Sequence, residues 1–408
     1  MSVIKVAILG FGTVGEGVYR TIHSHAEELQ TVLGKKVEVA AILIQNKQKE
    51  RDIAEDVLIT SDFDEILKLQ ELDVVVEAIV GKEPAFSFLK KAIEKGCHIV
   101  TANKEMFAHH GKELQILAEE HNVSIGFEAT VAGGIPIIQT IRQLLKINRV
   151  HQIQGILNGT SNFILTEMRE KKQSFAEALL LAQVNGFAEA DPTNDVEGFD
   201  AFFKTMILSR IAFGDEPVWN DVELEGITSI SNELIEAAEN YGLRFKHIAR
   251  ISKEDGQIKA IIKPALVDQS HPFYHVEGVQ NAVNVHSNIV GDITLQGPGA
   301  GMFPTASAAI EDLVYVCQNA PSQKSLDKSS AFKIEEKKKE VKEYWLVHGV
   351  KDKLLHPGIT WIDQTSSGTY IIKAEKKDVE HLALQQKPLC YFSILGNSEM
   401  INKQSLAI

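Results

Sequence analysis

The chain has 408 residues, 44% hydrophobic and 24% charged, a globular balance that excludes disordered and collagen-like classes and allows two or three domains. Its 42 Lys and Arg against 55 Asp and Glu give a net charge of -13, which argues against nucleic acid or an anionic membrane as partner and for a small molecule. Three widely spaced cysteines, Cys97, Cys317 and Cys390, do not suggest a disulfide framework, and the opening MSVIKVAILG has neither a basic leader nor a long apolar span, so a soluble, cytoplasmic protein is expected.

Residues 3–9 are nearly all aliphatic, as in a strand buried on both faces; GFGTVG comes next, and EGVYRTIHSHAEEL then takes up helical periodicity. Apolar runs at 37–44, 72–80, 98–103 and 123–130 read as further strands, mostly separated by helix-like segments such as EPAFSFLKKAIEKG. This alternation predicts an α/β unit over residues 1–131, a Rossmann-type doubly wound parallel sheet. From residue 132 the order becomes mixed. AGGIPIIQTIRQLLK reads as a turn and a helix, HQIQGIL as a strand, NGTSN as a turn, and 163–171 and 174–185 as helices; further strands are expected at 257–263 and 275–286. These features predict an α+β domain over 132–319, whose helix at 305–317 could return to the first sheet. The lysine-rich segment 320–342 reads as a linker to a small C-terminal α+β tail, 343–408.

The turn Gly10-Phe11-Gly12-Thr13-Val14-Gly15 has GxGxxG spacing between a strand and a helix, the context in which glycines let backbone and helix N-terminus approach a pyrophosphate. The second strand ends in Gln45 and Asn46, without the acid that bonds ribose hydroxyls in NAD-selective folds; Lys47, Lys49 and Arg51 come after it. Either NAD or NADP fits, with a slight lean to NADP.

NGFAEADPTNDVEGFDAFFK, residues 185–204, crowds five carboxylates (Glu189, Asp191, Asp195, Glu197 and Asp200) into a turn-rich loop that enters a helix. At 100° per residue that helix places Asp200, Lys204, Ile207 and Ile211 on one stripe, with phenylalanines around it. On a solvated face Asp200 and Lys204 would be a routine i,i+4 pair. On a buried helix the lysine must be paired or open to a cavity, where it could act as general acid and base. Asp191 and Glu197 read as solvated members of the loop, and His109, His110 and His151 show no metal pattern.

GFGTVG, VTANK, FEATVAGGIPI, GILNGTSNFIL, GFAEADPTNDVEGFDAFFK and GPGAG, in that order over the first three quarters of the chain, resemble the motif set of the homoserine dehydrogenase family. The resemblance implies reversible, nicotinamide-dependent interconversion of L-homoserine and L-aspartate 4-semialdehyde, in threonine and methionine biosynthesis. It also implies a homodimer or larger homo-oligomer assembled through the second domain. Lys204 would be the catalytic acid and base, Lys104 would share the proton handling beside the cofactor, and Glu189, Asp195 and Asp200 would hold homoserine. Thr101, Gly186 and Gly301 would approach the cofactor, and a sodium ion would meet carbonyl oxygens of Glu128, Val131, Gly133 and Ile135. EYWLVHGVKDK resembles the opening strand of the ACT domain that ends many bacterial relatives, although the remaining residues of the tail are short for βαββαβ order and lack a clear first helix. Two rivals stand against this reading: a semialdehyde dehydrogenase needing a nucleophilic cysteine, and a non-catalytic dinucleotide sensor, which would have no use for Lys204.

Overall fold

A computed structural model describes residues 3–46, 50–254, 256–319, 342–351, 353, 357–366 and 368–397. Lys47, Lys49 and all of the expected linker except residue 342 lie outside them. The first sheet contains β1 (Val3–Leu9), β2 (Lys36–Leu43), β3 (Leu58–Thr60), β4 (Val74–Glu77), β5 (His98–Thr101) and β6 (Ile125–Gly126), all parallel, in the order β3-β2-β1-β4-β5-β6. The order reverses between β1 and β4, which opens a crevice at their carboxyl ends. Helices α1 (Thr13–Ser24), α2 (Ala26–Leu33), α3 (Phe63–Leu67), α4 (Ala85–Glu94) and α5 (Lys104–Glu120) connect the strands. The strand expected over 123–130 shrinks to β6, because the chain then bends into a 3-10 turn at Glu128–Thr130 with the Glu128 carboxylate taken up by the N–H groups of Ile138 and Gln139.

The second sheet has ten strands: β7 (Val150–Ile156), β8 (Glu223–Leu224), β9 (Arg244–Glu254), β10 (Gln257–Val267), β11 (Gln280–Ser287), β12 (Gly291–Pro298), β13 (Glu343–His348), β14 (Thr360–Ser366), β15 (Thr369–Ala374) and β16 (Cys390–Leu395). Its order is β12-β11-β7-β9-β10-β16-β13-β15-β14, with β8 beside β10. Strands β9 and β12 were not anticipated, and the run at 275–286 is extended only from Gln280. Helices α6 (Ile137–Leu144), α7 (Gly159–Lys171), α8 (Phe175–Val184), α9 (Thr193–Val196), α10 (Phe199–Phe213) and α11 (Asn232–Glu239) belong to this part of the chain. The next helix, α12 (Met302–Gln318), returns to the first sheet, where Ala306, Ala309, Leu313 and Val316 join the core of Val18, Ile22 and the β1 and β2 side chains. Gly17 allows the approach, since a Cβ there would stand 2.8 Å from Met302 Cγ.

The tail adds β13 to β16 and one helix, α13 (Lys376–Gln385); between β13 and β14 no helix occurs among the described residues. It extends the second sheet rather than forming its own, because β16 lies parallel to β10 with Leu266 opposite Ile394 and Val267 opposite Leu395. Glu223 of β8 ties it further, pairing with Lys263 at 2.7 Å and with Lys376 of α13. Among the described residues no helix is long and apolar enough to cross a membrane.

Candidate active site

Helix α10 begins after Gly198 (φ 87°) and ends at Gly214 (φ 78°), left-handed positions that suit glycine at both ends. Because Ala201, Phe202, Met206, Leu208 and Ile211 bury most of its circumference, its i,i+4 acid-lysine pair is carried into the interior: Asp200 is 4% exposed and Lys204 8%. Such a pair is tolerable only if its hydrogen-bonding capacity is met. Lys204 Nζ donates to Asp200 Oδ2 at 2.7 Å and to the Leu157 carbonyl at 2.7 Å. Asp200 Oδ1 faces Lys104 Nζ at 2.5 Å, so one carboxylate bridges two ammoniums. Asn158 Nδ2 donates to Asp200 Oδ2 at 2.9 Å and to Asp195 Oδ1 at 2.6 Å, and Asn281 Nδ2 donates to the same Leu157 carbonyl at 3.0 Å.

The electrostatics separate the two lysines. Burial pushes Lys204 below the ordinary lysine range, against the pull of Asp200 and with a further push from Lys104. Lys104, whose side chain is 43% exposed, is held above that range by Asp200. Burial would raise the Asp200 carboxyl, but the two ammoniums reverse this and leave it well below the usual carboxylate range. Asp195 is raised, by burial first and by Asp200 as well, against its bond from Asn158.

Lys104 is the first residue of α5, with Asn103 capping the helix by accepting the Met106 N–H at 3.0 Å. Glu189 is exposed on the loop and close enough to contribute to the field at Lys104. Asp191 is spent on the N–H and hydroxyl of Thr193, and Glu197 meets the Thr228 hydroxyl at 3.4 Å. The loop therefore brings Glu189, Asp195 and Asp200 to the lysines and leaves Asp191 and Glu197 outside. Both oxygens of Asp200, expected to meet substrate, are already engaged by lysines.

In the glycine turn, Gly10 has φ 91° and a Cβ there would stand 2.8 Å from the Ala78 carbonyl, while a Cβ on Gly15 would strike the Gly10 carbonyl at 2.0 Å. Gly12 has open space above it and is the N-cap of α1, which leaves the helix N-terminus accessible between Phe11 and Thr13-Val14. Gly301 (φ 118°) is the N-cap of α12, and Gly186 (φ 73°) is exposed after α8. Thr101, expected at the cofactor, is fully buried, its hydroxyl donating to Glu77 Oε2 at 2.6 Å, so its side chain is not open to a bound molecule. At the end of β2 the Arg51 guanidinium folds back to the Asn46 carbonyl, 2.9 Å away.

Glu128, Val131 and Ile135 are 2% exposed or less, and Gly133 (φ 54°) packs against the Gly299 backbone. The Glu128 carbonyl accepts the Val131 N–H at 3.2 Å, and that of Ile135 the Ile137 N–H at 2.7 Å. Among the described residues no group of three His, Cys, Asp or Glu is placed to hold a metal.

Sequence reasoning missed Asn158, Leu157 and Asn281. The only local signal was Asn-Gly-Thr-Ser, an N-cap pattern in which Asn158 Oδ1 accepts the Ser161 N–H at 2.7 Å.

Residues 10–128 match a family model described as the homoserine dehydrogenase NAD binding domain, and residues 136–314 the homoserine dehydrogenase model. The homoserine dehydrogenase of Neisseria gonorrhoeae is 42% identical over 318 residues, 78% of this chain and 73% of that protein. The crystal structure of a homoserine dehydrogenase from Thiobacillus denitrificans superposes with TM-score 0.84 at 32% identity, covering 97% of this chain and 99% of that one. A hyperthermophilic archaeal homoserine dehydrogenase in complex with NADPH gives TM-score 0.66 at 28% identity over 77% of this chain and 98% of its own.

Proposed function

The chain belongs to the homoserine dehydrogenase family, NAD(P)-dependent oxidoreductases that interconvert L-homoserine and L-aspartate 4-semialdehyde, and from that premise we propose how its residues divide the work. The crevice between β1 and β4 would hold the dinucleotide, with the turn from Gly10 to Gly15 taking its pyrophosphate and Gly186 and Gly301 contributing from the second part of the chain. When bound, the nicotinamide accepts or supplies the hydride.

Lys204 carries the proton. Two of its hydrogens are directed to Asp200 and Leu157, leaving the third for the substrate oxygen, and its depressed pKa favours the neutral base that alcohol oxidation requires. The observation that carries this assignment is the single carboxylate between a buried lysine and a half-exposed one. Lys104 shares the substrate's oxygen side, and Asp200 holds both ammoniums in register. Glu189 and Asp195 are then left for the substrate ammonium. Glu189→Ala should raise the KM for L-homoserine about tenfold while kcat falls no more than a few-fold, as expected when ground-state binding is lost. Steady-state kinetics at saturating cofactor check this, and an unchanged KM would remove Glu189 from the site.

NADP is the preferred cofactor in this reading, because Arg51 supplies a guanidinium at the end of β2, where a 2'-phosphate would lie. Arg51→Ala is expected to raise the KM for NADP about tenfold or more and to change that for NAD less than about twofold. Equal effects on both would refute the assignment.

The carbonyls of Glu128, Val131, Gly133 and Ile135 would hold a sodium ion as hard oxygen ligands in a buried turn, those of Glu128 and Ile135 through the lone pair not already taken by a backbone N–H. We take residues 1–131 and 132–319 as the two main domains, with β13 to β16 of the 343–408 tail continuing the second sheet, and infer that the protein works in the cytoplasm as a homodimer or larger assembly through that sheet, whose edge strand β12 alternates between partly and more exposed residues. Light scattering of the purified protein tests the last point.

A further inference from the structure

Glu77 is the last residue of β4, opposite Leu9 of β1 on one side and Thr101 of β5 on the other, at the point where the strand order reverses. It is fully buried, and among the described residues no cation neutralises it. Three donors converge on its carboxylate instead: the Ile79 N–H at 2.6 Å, the Thr101 hydroxyl at 2.6 Å and, more distantly, Asn103 Nδ2 at 3.4 Å. A buried carboxylate without a counter-charge is costly even when hydrogen-bonded, and burial pushes its pKa up to about 7. Val75, on the same strand face, is apolar, as a residue serving only to pack would be.

The partners point in two directions. Ile79 lies in the loop after β4, whose Val80 is 93% exposed and whose Ala78 carbonyl closes on Gly10. Thr101 accepts the Asn103 N–H at 3.0 Å, and Asn103 donates to the Gly81 carbonyl at 2.7 Å while capping the helix that starts with Lys104. We propose that Glu77 is a positioning residue: its carboxylate ties the cofactor-facing loop after β4 to the first turn of α5 and so fixes where Lys104 meets Asp200. This rests on the reading of Lys104 as part of the proton-handling site. Glu77 touches no reacting atom and acts through Lys104.

The test is a double-mutant cycle on kcat/KM for L-homoserine with Glu77→Gln, Lys104→Ala and the pair. Asn103→Ser, which keeps a capping oxygen but loses the amide bridge, perturbs the same network from its other end, and melting temperature and dinucleotide binding are followed throughout. The expected result is a loss of about tenfold for Glu77→Gln in the wild-type background and of less than about twofold in Lys104→Ala, because coupled groups are non-additive. Asn103→Ser should show the same dependence. Losses that multiply in the pair, with Lys104→Ala itself costly, would overturn the proposal and leave the Lys104 reading standing. If Lys104→Ala cost nothing, both would fall.

Discussion

Replacing Lys204 by alanine is expected to lower kcat for L-homoserine oxidation by about 10³-fold, within the range of about 10²- to 10⁴-fold attributed to a positioned acid or base, while dinucleotide binding is retained. The reason lies in the surroundings of Nζ. It sits on a buried helix, 2.7 Å from Asp200 and 2.7 Å from the Leu157 carbonyl, so alanine would remove the proposed proton carrier from a place where its hydrogen-bond partners are acceptors. Lys104 cannot substitute easily, being held protonated by Asp200. The glycine turn is formed by β1 and α1, far in sequence from α10, so cofactor binding measured by fluorescence titration should change little. Unaltered turnover would exclude Lys204 from the mechanism.

Asp200→Ala carries the second large effect, on stability as well as rate. Two ammoniums would be left facing each other without their carboxylate, one of them 8% exposed, and breaking a buried pair in this way costs about 3–5 kcal/mol. Urea denaturation at neutral pH should show that loss. Its pH dependence has a fixed sign. The folded-state pKa of Asp200 lies below its unfolded value, so its contribution is complete above the ordinary carboxylate range and disappears as pH falls through the folded value. The stability gap between wild type and variant should therefore narrow in acid. A gap that widened there would contradict the charge assignment.

The features legible in the sequence are those that rest on local spacing. The glycine turn is readable from three glycines between an aliphatic strand and a helix, and the stripe of Asp200 and Lys204 from helical periodicity, which the burial of α10 reproduces. The features that stayed hidden depend on distant pairing. β9, with Lys246 and His247 buried in it, lacks an apolar pattern, and β12 alternates between half-buried and exposed residues, so neither stood out. Asn158 reaches Asp195 and Asp200 across 37 and 42 residues, a relation no local pattern encodes. The tail read as a separate unit because its strands are contiguous in sequence, and only the pairing of β16 with β10 shows that they extend the second sheet. The guanidinium of Arg51 arrives at the end of β2 by a fold-back to Asn46 that spacing does not reveal.

The most direct test of the lysine assignment is the pH dependence of kcat/KM for L-homoserine oxidation, measured on wild type, Lys204→Ala and Lys104→Ala. Lys204, facing Asp200, Lys104 and Asp195, has a pKa pushed below the ordinary lysine range by burial, and in the proposed role it must be neutral to take the hydroxyl proton. The wild-type rate should rise with pH through that value, and the same limb should survive in Lys104→Ala and be absent from the residual rate of Lys204→Ala. A limb that persisted in Lys204→Ala and vanished in Lys104→Ala would assign the proton to the other lysine and contradict the account.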